Sequence, residues 1–188
     1  MPLPTIATPT YELELPSSKK KIKYRPFLVK EEKILVIAME SQDDSQIGNA
    51  IKEVISNCIM TRGVKVQNLA TFDIEYLFLN IRGKSVGETV DVLITCPDDN
   101  QTQVPLSIDL DEIQVTISPE HSRDIKLDDN LTLRMKYPAL DQFIKSNFNV
   151  SEVSVDDTFE LIAGCIEQVY SEEESWNASD CSKKELFQ

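Results

Sequence analysis

At 188 residues, 41% hydrophobic and 27% charged, the chain is long enough to bury one real core. Its net charge of −13 argues against nucleic acid as a partner, because phosphates are repelled everywhere except beside a short basic patch. No apolar run approaches the roughly 18 residues needed to cross a bilayer, and the first residues, "MPLPTIATPTYELEL", lack the basic-then-apolar plan of a signal peptide. No membrane partner is expected. The four cysteines (Cys58, Cys96, Cys165 and Cys181) stand far apart with no C-x-x-C pair, which indicates neither a metal site nor a disulfide scaffold. Such usage suits a reduced, cytoplasmically made protein.

Residues 1–10 hold three prolines and no periodicity and read as an extended arm. "TYELEL" and "KIKYR" then alternate at strand spacing around the turn signal "PSSKK", which predicts a β-hairpin. Lysine on its outward face and tip also discourages edge-to-edge aggregation. Pro26 ends the second strand. Three helices follow. The first lies in "FLVKEEKILVIAMES", with Phe27, Leu28, Leu35, Ile37 and Ala38 or Met39 on one broad apolar face. The second starts from N-cap residues near Asp43 to Ser45 and carries Ile47, Ile51, Val54, Ile55, Cys58 and Ile59, with Gly63 as its C′ residue. The third begins at Thr71, packs Phe72, Tyr76, Leu77 and Leu79 to Ile81, and stops at Gly83.

The period then changes to two. "ETVDVLITC", "TQVPLSIDL", "EIQVTI" and "IKLDDNLTLRMKYP" predict one small antiparallel meander, with Pro105 pushing its strand toward an edge. "YPALDQFIKSN" reads as a short helix and "FNVSEVSVDD" as a connector. A last helix from about Thr158 carries Leu161, Ile162, Cys165, Ile166 and Val169. The whole is α+β: an N-terminal β-hairpin, a three-helix segment, a small antiparallel sheet and C-terminal helices. Residues 1–170 are expected to form one domain and residues 171–188 an acidic tail, in which "SDCSKKELFQ" opens a helix that is truncated or ordered only by a partner.

Little in the sequence suggests chemistry. The single histidine, His121, sits in the polar loop "SPEHSRD", where an inert histidine is the ordinary case. There is no G-x-S-x-G, H-E-x-x-H, Walker A or G-x-G-x-x-G motif, and the five glycines leave no phosphate cradle. "DLDEI" and "LDDNL" lack the frame of an EF-hand loop. No catalytic residue, cofactor or metal is expected.

Charge is uneven instead. Residues 1–30 hold six Lys or Arg against two Glu, whereas residues 151–188 hold ten Asp or Glu against two Lys. Opposite-signed ends suit contacts with other proteins or with copies of this chain, and equally suit plain solvation. Two segments stand out as candidate partner-binding sites. One is "KYRPFLVKEEK", with Tyr24, Arg25 and Phe27, because Arg and aromatic residues anchor interfaces, and the charge asymmetry adds Lys19, Lys20 and Lys21 of the hairpin to it. Its plainer reading is a strand-to-helix corner in which Arg25 caps a carbonyl. The other is "NIRGKSVGE", a polar loop at a helix end with Arg82, Lys84, Ser85 and Glu88 facing a partner, or simply a C-cap and turn.

These same blocks, "YRPFLVKEEK" and "LFLNIRGKSVGE", with "CIEQVY" near the end, resemble the baseplate hub family of T4-like contractile-tailed phages over roughly residues 5–170. That family includes a hub subunit and a hub assembly catalyst. The resemblance implies a non-enzymatic virion protein of the tail baseplate, made in the host cytoplasm, whose partners are other hub or tail proteins. It also implies a C-x-x-C-like element after the first central strand; here that place reads "TCPDDNQ", with Cys96 alone, and no metal is expected there.

Overall fold

The computed structural model describes residues 7–139 and 155–186. Most of the expected helix in "YPALDQFIKSN", most of the connector after it and most of the N-terminal arm lie outside these residues. The chain forms two compact units, Met1–Val66 with Phe72–Val115, and Gln67–Thr71 with Thr116–Gln188.

The first unit starts with the hairpin of β1 (Tyr11–Glu14) and β2 (Lys21–Tyr24), paired Tyr11 to Tyr24 and Glu14 to Lys21. Strand alternation sends Ile22 and Tyr24 into the core and Glu12, Glu14, Lys21 and Lys23 outward. The turn is clamped from inside the protein. Asp73, fully buried in the first turn of the third helix, accepts hydrogen bonds from Ser17 N (3.0 Å) and from Ser17 Oγ. The lysine-bearing strand is not an edge. Lys23 O accepts from Met60 N (2.8 Å), Arg25 N donates to Cys58 O (3.0 Å) and Lys23 N donates to Thr61 Oγ1 (2.7 Å), so the segment after the second helix covers β2.

Helix α1 (Val29–Glu40) and helix α2 (Asp44–Cys58) pack as a pair. Asp43 caps α2 by accepting from Ser45 N (2.9 Å) and Gln46 N (3.3 Å). Val54, Ile55 and Cys58 are buried as the spacing predicts, Ala50 joins them, and Ile47, Ile51 and Ile59 are half-buried. The apolar face expected of α1 is buried only in part: Ala38 points inward and Phe27 and Leu35 are half-buried, whereas Leu28, Ile37 and Met39 are exposed and Glu31 takes an inward position that the pattern did not assign to it. A buried ion pair, described below, sets the phase of this helix. Gly63 is not the C′ residue of α2, which ends at Cys58; with φ +80° it shapes the turn beyond.

Helix α3 (Thr71–Val86) buries Ile74, Leu77 and Ile81. It runs through Gly83 and stops at Gly87, whose φ of +133° is open to glycine and strained for other residues. Leu110 packs beside Gly83 from a short 3₁₀ turn. Between them β3 (Thr89–Thr95) and β4 (Gln103–Asp109) form an antiparallel ribbon closed by the turn at "PDDN".

In the second unit, β5 (Asp124–Lys126), β6 (Thr132–Met135), β7 (Ile166–Tyr170) and β8 (Ser175–Asn177) make a separate antiparallel sheet in that order. Helix α4 (Val155–Gly164) precedes β7, and a short helix α5 (Lys183–Leu186) follows β8. The expected single meander is therefore two sheets, and "EIQVTI" pairs with nothing among the described residues. The helix expected through Val169 ends at Gly164, the poorest helix former in its path. Ile166 and Val169 then stand on β7, paired with β6, and Cys165 lies in the turn between them. Ser182 starts α5, its N (2.8 Å) and Oγ (2.6 Å) both donating to Glu185 Oε2.

Gly87 and Gly83 offer a matched test. A Cβ at Gly87 would meet no atom within 4 Å, so Gly87→Ala isolates backbone strain and should cost about 1–3 kcal/mol in chemical denaturation. Gly83→Ala, in a helix with only ordinary contact to Leu110 Cδ1 at 3.9 Å, should be neutral or stabilising by about 0.5–1 kcal/mol.

Candidate functional site

The two segments singled out from sequence meet in space. Phe27 N donates to Ser85 Oγ (2.9 Å), and Ser85 Oγ donates back to Ile81 O (2.5 Å) within α3. One serine thus fastens the β2-to-α1 corner to the last turn of α3.

The corner is built around Arg25 and Glu31. The Glu31 side chain is fully buried and the Arg25 side chain is only 14% exposed. Arg25 NH2 donates to Glu31 Oε1 (3.0 Å) and to Asn57 O (3.0 Å), while NH1 donates to Pro26 O (2.9 Å). Glu31 Oε2 accepts from Leu28 N (2.9 Å), closing the first turn of α1, where leucine has no side-chain acceptor of its own to offer. Lys30 Nζ adds a third contact at 3.3 Å. Burial pushes the Glu31 carboxyl upward, but Arg25, the Leu28 N–H and Lys30 together outweigh it and hold the group below its ordinary value. The hydrogen bond to Glu31 raises Arg25 in turn. Burial pushes the adjoining Cys58 thiol up to about 11, which keeps it unreactive at neutral pH.

Tyr24 is a core residue, 2% exposed, with its ring 5.8 Å from that of Tyr11. Burial is the main reason its hydroxyl titrates above the ordinary tyrosine value. Arg82 NH1 donates to Gly87 O (3.0 Å), closing the end of α3. Lys84 lies between Glu88 (2.5 Å) and Asp111 (3.1 Å), and 6.0 Å from the centre of the Tyr11 ring. Its hydrogen bonds to those two carboxylates raise its pKa. Arg82, Lys84 and Ser85 are therefore helical and Glu88 alone follows the helix, so the expected polar loop is mostly the last turns of α3.

Lys19, Lys20 and Lys21 are different. All three are exposed and form no ion pair among the described residues; Lys19, at φ 56°, turns the backbone at the hairpin tip. They stand on a turn that Ser17 fixes to Asp73, so they form a positive point on a rigid mount. The outward side of α1, with Val29, Val36, Ile37 and Met39 exposed, is a second candidate surface; of these the periodicity places Ile37, and Met39 as an alternative to Ala38, inside.

In the second unit, His121 Nε2 lies 2.8 Å from the Tyr137 hydroxyl, with the rings stacked at 5.6 Å. Arg134 is held by Asp124 at 2.8 Å and lies 5.5 Å from the centre of the Tyr170 ring. At the tip of the β3–β4 ribbon, where the resemblance implied a second cysteine, Asp99 accepts from Gln101 N and Thr102 N (both 2.9 Å) and from Thr102 Oγ1. Among the described residues no group of three or more His, Cys, Asp or Glu is arranged to hold a metal ion. No helix among them is long and apolar enough to cross a membrane.

The sequence pattern of the T4 bacteriophage base plate protein family matches residues 8–188, nearly the whole length. The chain belongs to that family. No curated protein and no solved structure matches it. Contacts with other phage baseplate proteins follow from the membership, and the corner just described spans both blocks that carried the resemblance.

For this baseplate protein, Arg25→Ala leaves the Glu31 carboxylate buried without its main partner and should cost about 3–5 kcal/mol in denaturant unfolding. The pH dependence has a defined sign. Glu31 is depressed in the folded state, so its contribution is complete above its ordinary value of 4.5 and is lost as pH falls through the lower folded value. Glu31→Gln should be less stable than the wild type at neutral pH, and the gap should narrow in acid.

Proposed function

We propose that this protein is a non-enzymatic structural component of the central hub of the baseplate, acting in the virion through protein–protein contacts. What carries the reading is the pairing of a rigid corner with a cationic tip that forms no ion pair among the described residues. Lys19, Lys20 and Lys21 project from a turn pinned to the start of α3, while Tyr24, Arg25 and Ser85 anchor the opposite end of the hairpin and the corner after it. Fixed charges of this kind steer and orient an acidic neighbour without a conformational step. In this reading Lys19, Lys20 and Lys21 touch the partner. Phe27 and the Arg82–Lys84–Glu88 cluster border the contact, and Tyr24, Arg25 and Ser85 position it.

A factor that builds the hub and then leaves would use the same surface, so the mature particle is the place to look. Quantitative mass spectrometry of purified particles should find peptides of this chain at a fixed ratio to other baseplate proteins. Their absence there, with abundance in infected-cell lysate, would make it a departing assembly factor. Reversing Lys19, Lys20 and Lys21 to Glu should leave the melting temperature unchanged and strongly reduce incorporation; unchanged incorporation would remove the cationic tip from the contact.

A further inference from the structure

The β3–β4 ribbon is a second and chemically different surface. Its register pairs Val90 with Ile108, Val92 with Leu106 and Ile94 with Val104, which places six aliphatic side chains on one face. Thr89 with Asp109, Asp91 with Ser107, Leu93 with Pro105 and Thr95 with Gln103 occupy the other. No third strand pairs with the ribbon among the described residues. The distal part of the apolar face lies open: Ile94 is 48%, Val104 47% and Leu106 45% exposed. Two-stranded ribbons are marginal when one face finds nothing to cover it, and a contiguous exposed aliphatic strip marks an interaction site.

The surrounding charge selects the occupant. Between Lys84 and Arg123 the sequence has no Lys or Arg and carries eight Asp or Glu. Asp91 and Asp109 lie on the ribbon's back, Asp98 and Asp99 at its tip, and Lys84 at its base is already engaged by Glu88 and Asp111. A second copy docking face to face would bring two cation-free acidic ribbons together, with nothing to offset their repulsion.

We propose that the apolar face of this ribbon docks on a different baseplate protein, one that presents an aliphatic strip bordered by Lys or Arg. The strip supplies the buried area, and the basic border supplies orientation against the acidic tip and back. This surface is separate from the Lys19–Lys21 tip and shares with the function proposed above only the premise that the chain works through protein contacts.

The test uses the full chain, supplied during infection by a phage lacking its own copy. A photo-crosslinking phenylalanine analogue replaces Leu106, and both assembling intermediates and finished particles are irradiated. Departure from mature particles would thus overturn the hub-component reading without affecting this one. The expected product is a covalent adduct to another baseplate protein, mapped by mass spectrometry to a segment with apolar residues flanked by Lys or Arg. Ile94→Glu with Val104→Glu should abolish association with those assemblies while leaving the melting temperature unchanged. Leu93→Glu, on the opposite face, should associate like the wild type. An adduct to this same chain or a second copy, an adduct to a segment without basic residues, or no adduct in assemblies that contain the chain would overturn the proposal. Normal association of the Ile94→Glu, Val104→Glu variant would do the same.

Discussion

A carboxylate taken out of water must be paired, and that requirement organises the first unit of this protein. Glu31 is fully buried, and its two oxygens are met by a guanidinium from the end of the hairpin and by the backbone of its own helix. The same guanidinium reaches Asn57 O near the end of α2 and Pro26 O at the corner. Three chain segments thus converge on one ion pair. The helix that carries Glu31 must turn that residue inward, and this rotates part of its own apolar side outward. Apolar residues replacing both Arg25 and Glu31 would satisfy burial as well in energy, but would not fix where the strand and two helices meet.

Around that corner the unit uses the same device twice more. Asp73 is buried at the start of α3 and reaches across to the hairpin turn, and Ser85 at the other end of that helix reaches the Phe27 backbone. Helix α3 is therefore tied to the hairpin region at both ends by polar groups, with Ile74, Leu77 and Ile81 supplying apolar burial between. The outcome is a stiff platform. From it project a cationic tip, an exposed aliphatic helix side and an acidic aliphatic ribbon, each left exposed among the described residues. For a member of a baseplate family, such a distribution suits a chain whose remaining contacts come from neighbours.

Much of this was readable in the residues. Strand alternation in "TYELEL" and "KIKYR", the Asp43 cap, and the spacing of Val54, Ile55 and Cys58 are local signals, and each produced the expected element. The misses have physical causes of two kinds. In α1 the pattern of apolar residues was real, but a charged residue won the inward position because it found a guanidinium there, which no helical-wheel argument weighs. At Ile166 and Val169 the spacing fitted a helix and a strand equally. Pairing with β6, a long-range partner, decided for strand.

The candidate site was legible as segments and not as an arrangement. The sequence by itself determined the α+β composition, the hairpin, the three successive helices, the separation of charge and the blocks that mark the baseplate family, because each depends on neighbouring residues or on their spacing. Only the tertiary structure decided that Tyr24 and Arg25 face inward while Lys19 to Lys21 stay outside, that Ser85 joins the two marked segments, and that the expected meander divides into a ribbon and a four-stranded sheet. Those outcomes turn on which distant groups satisfy a buried charge or an open strand, and such partners are chosen by the folded chain as a whole.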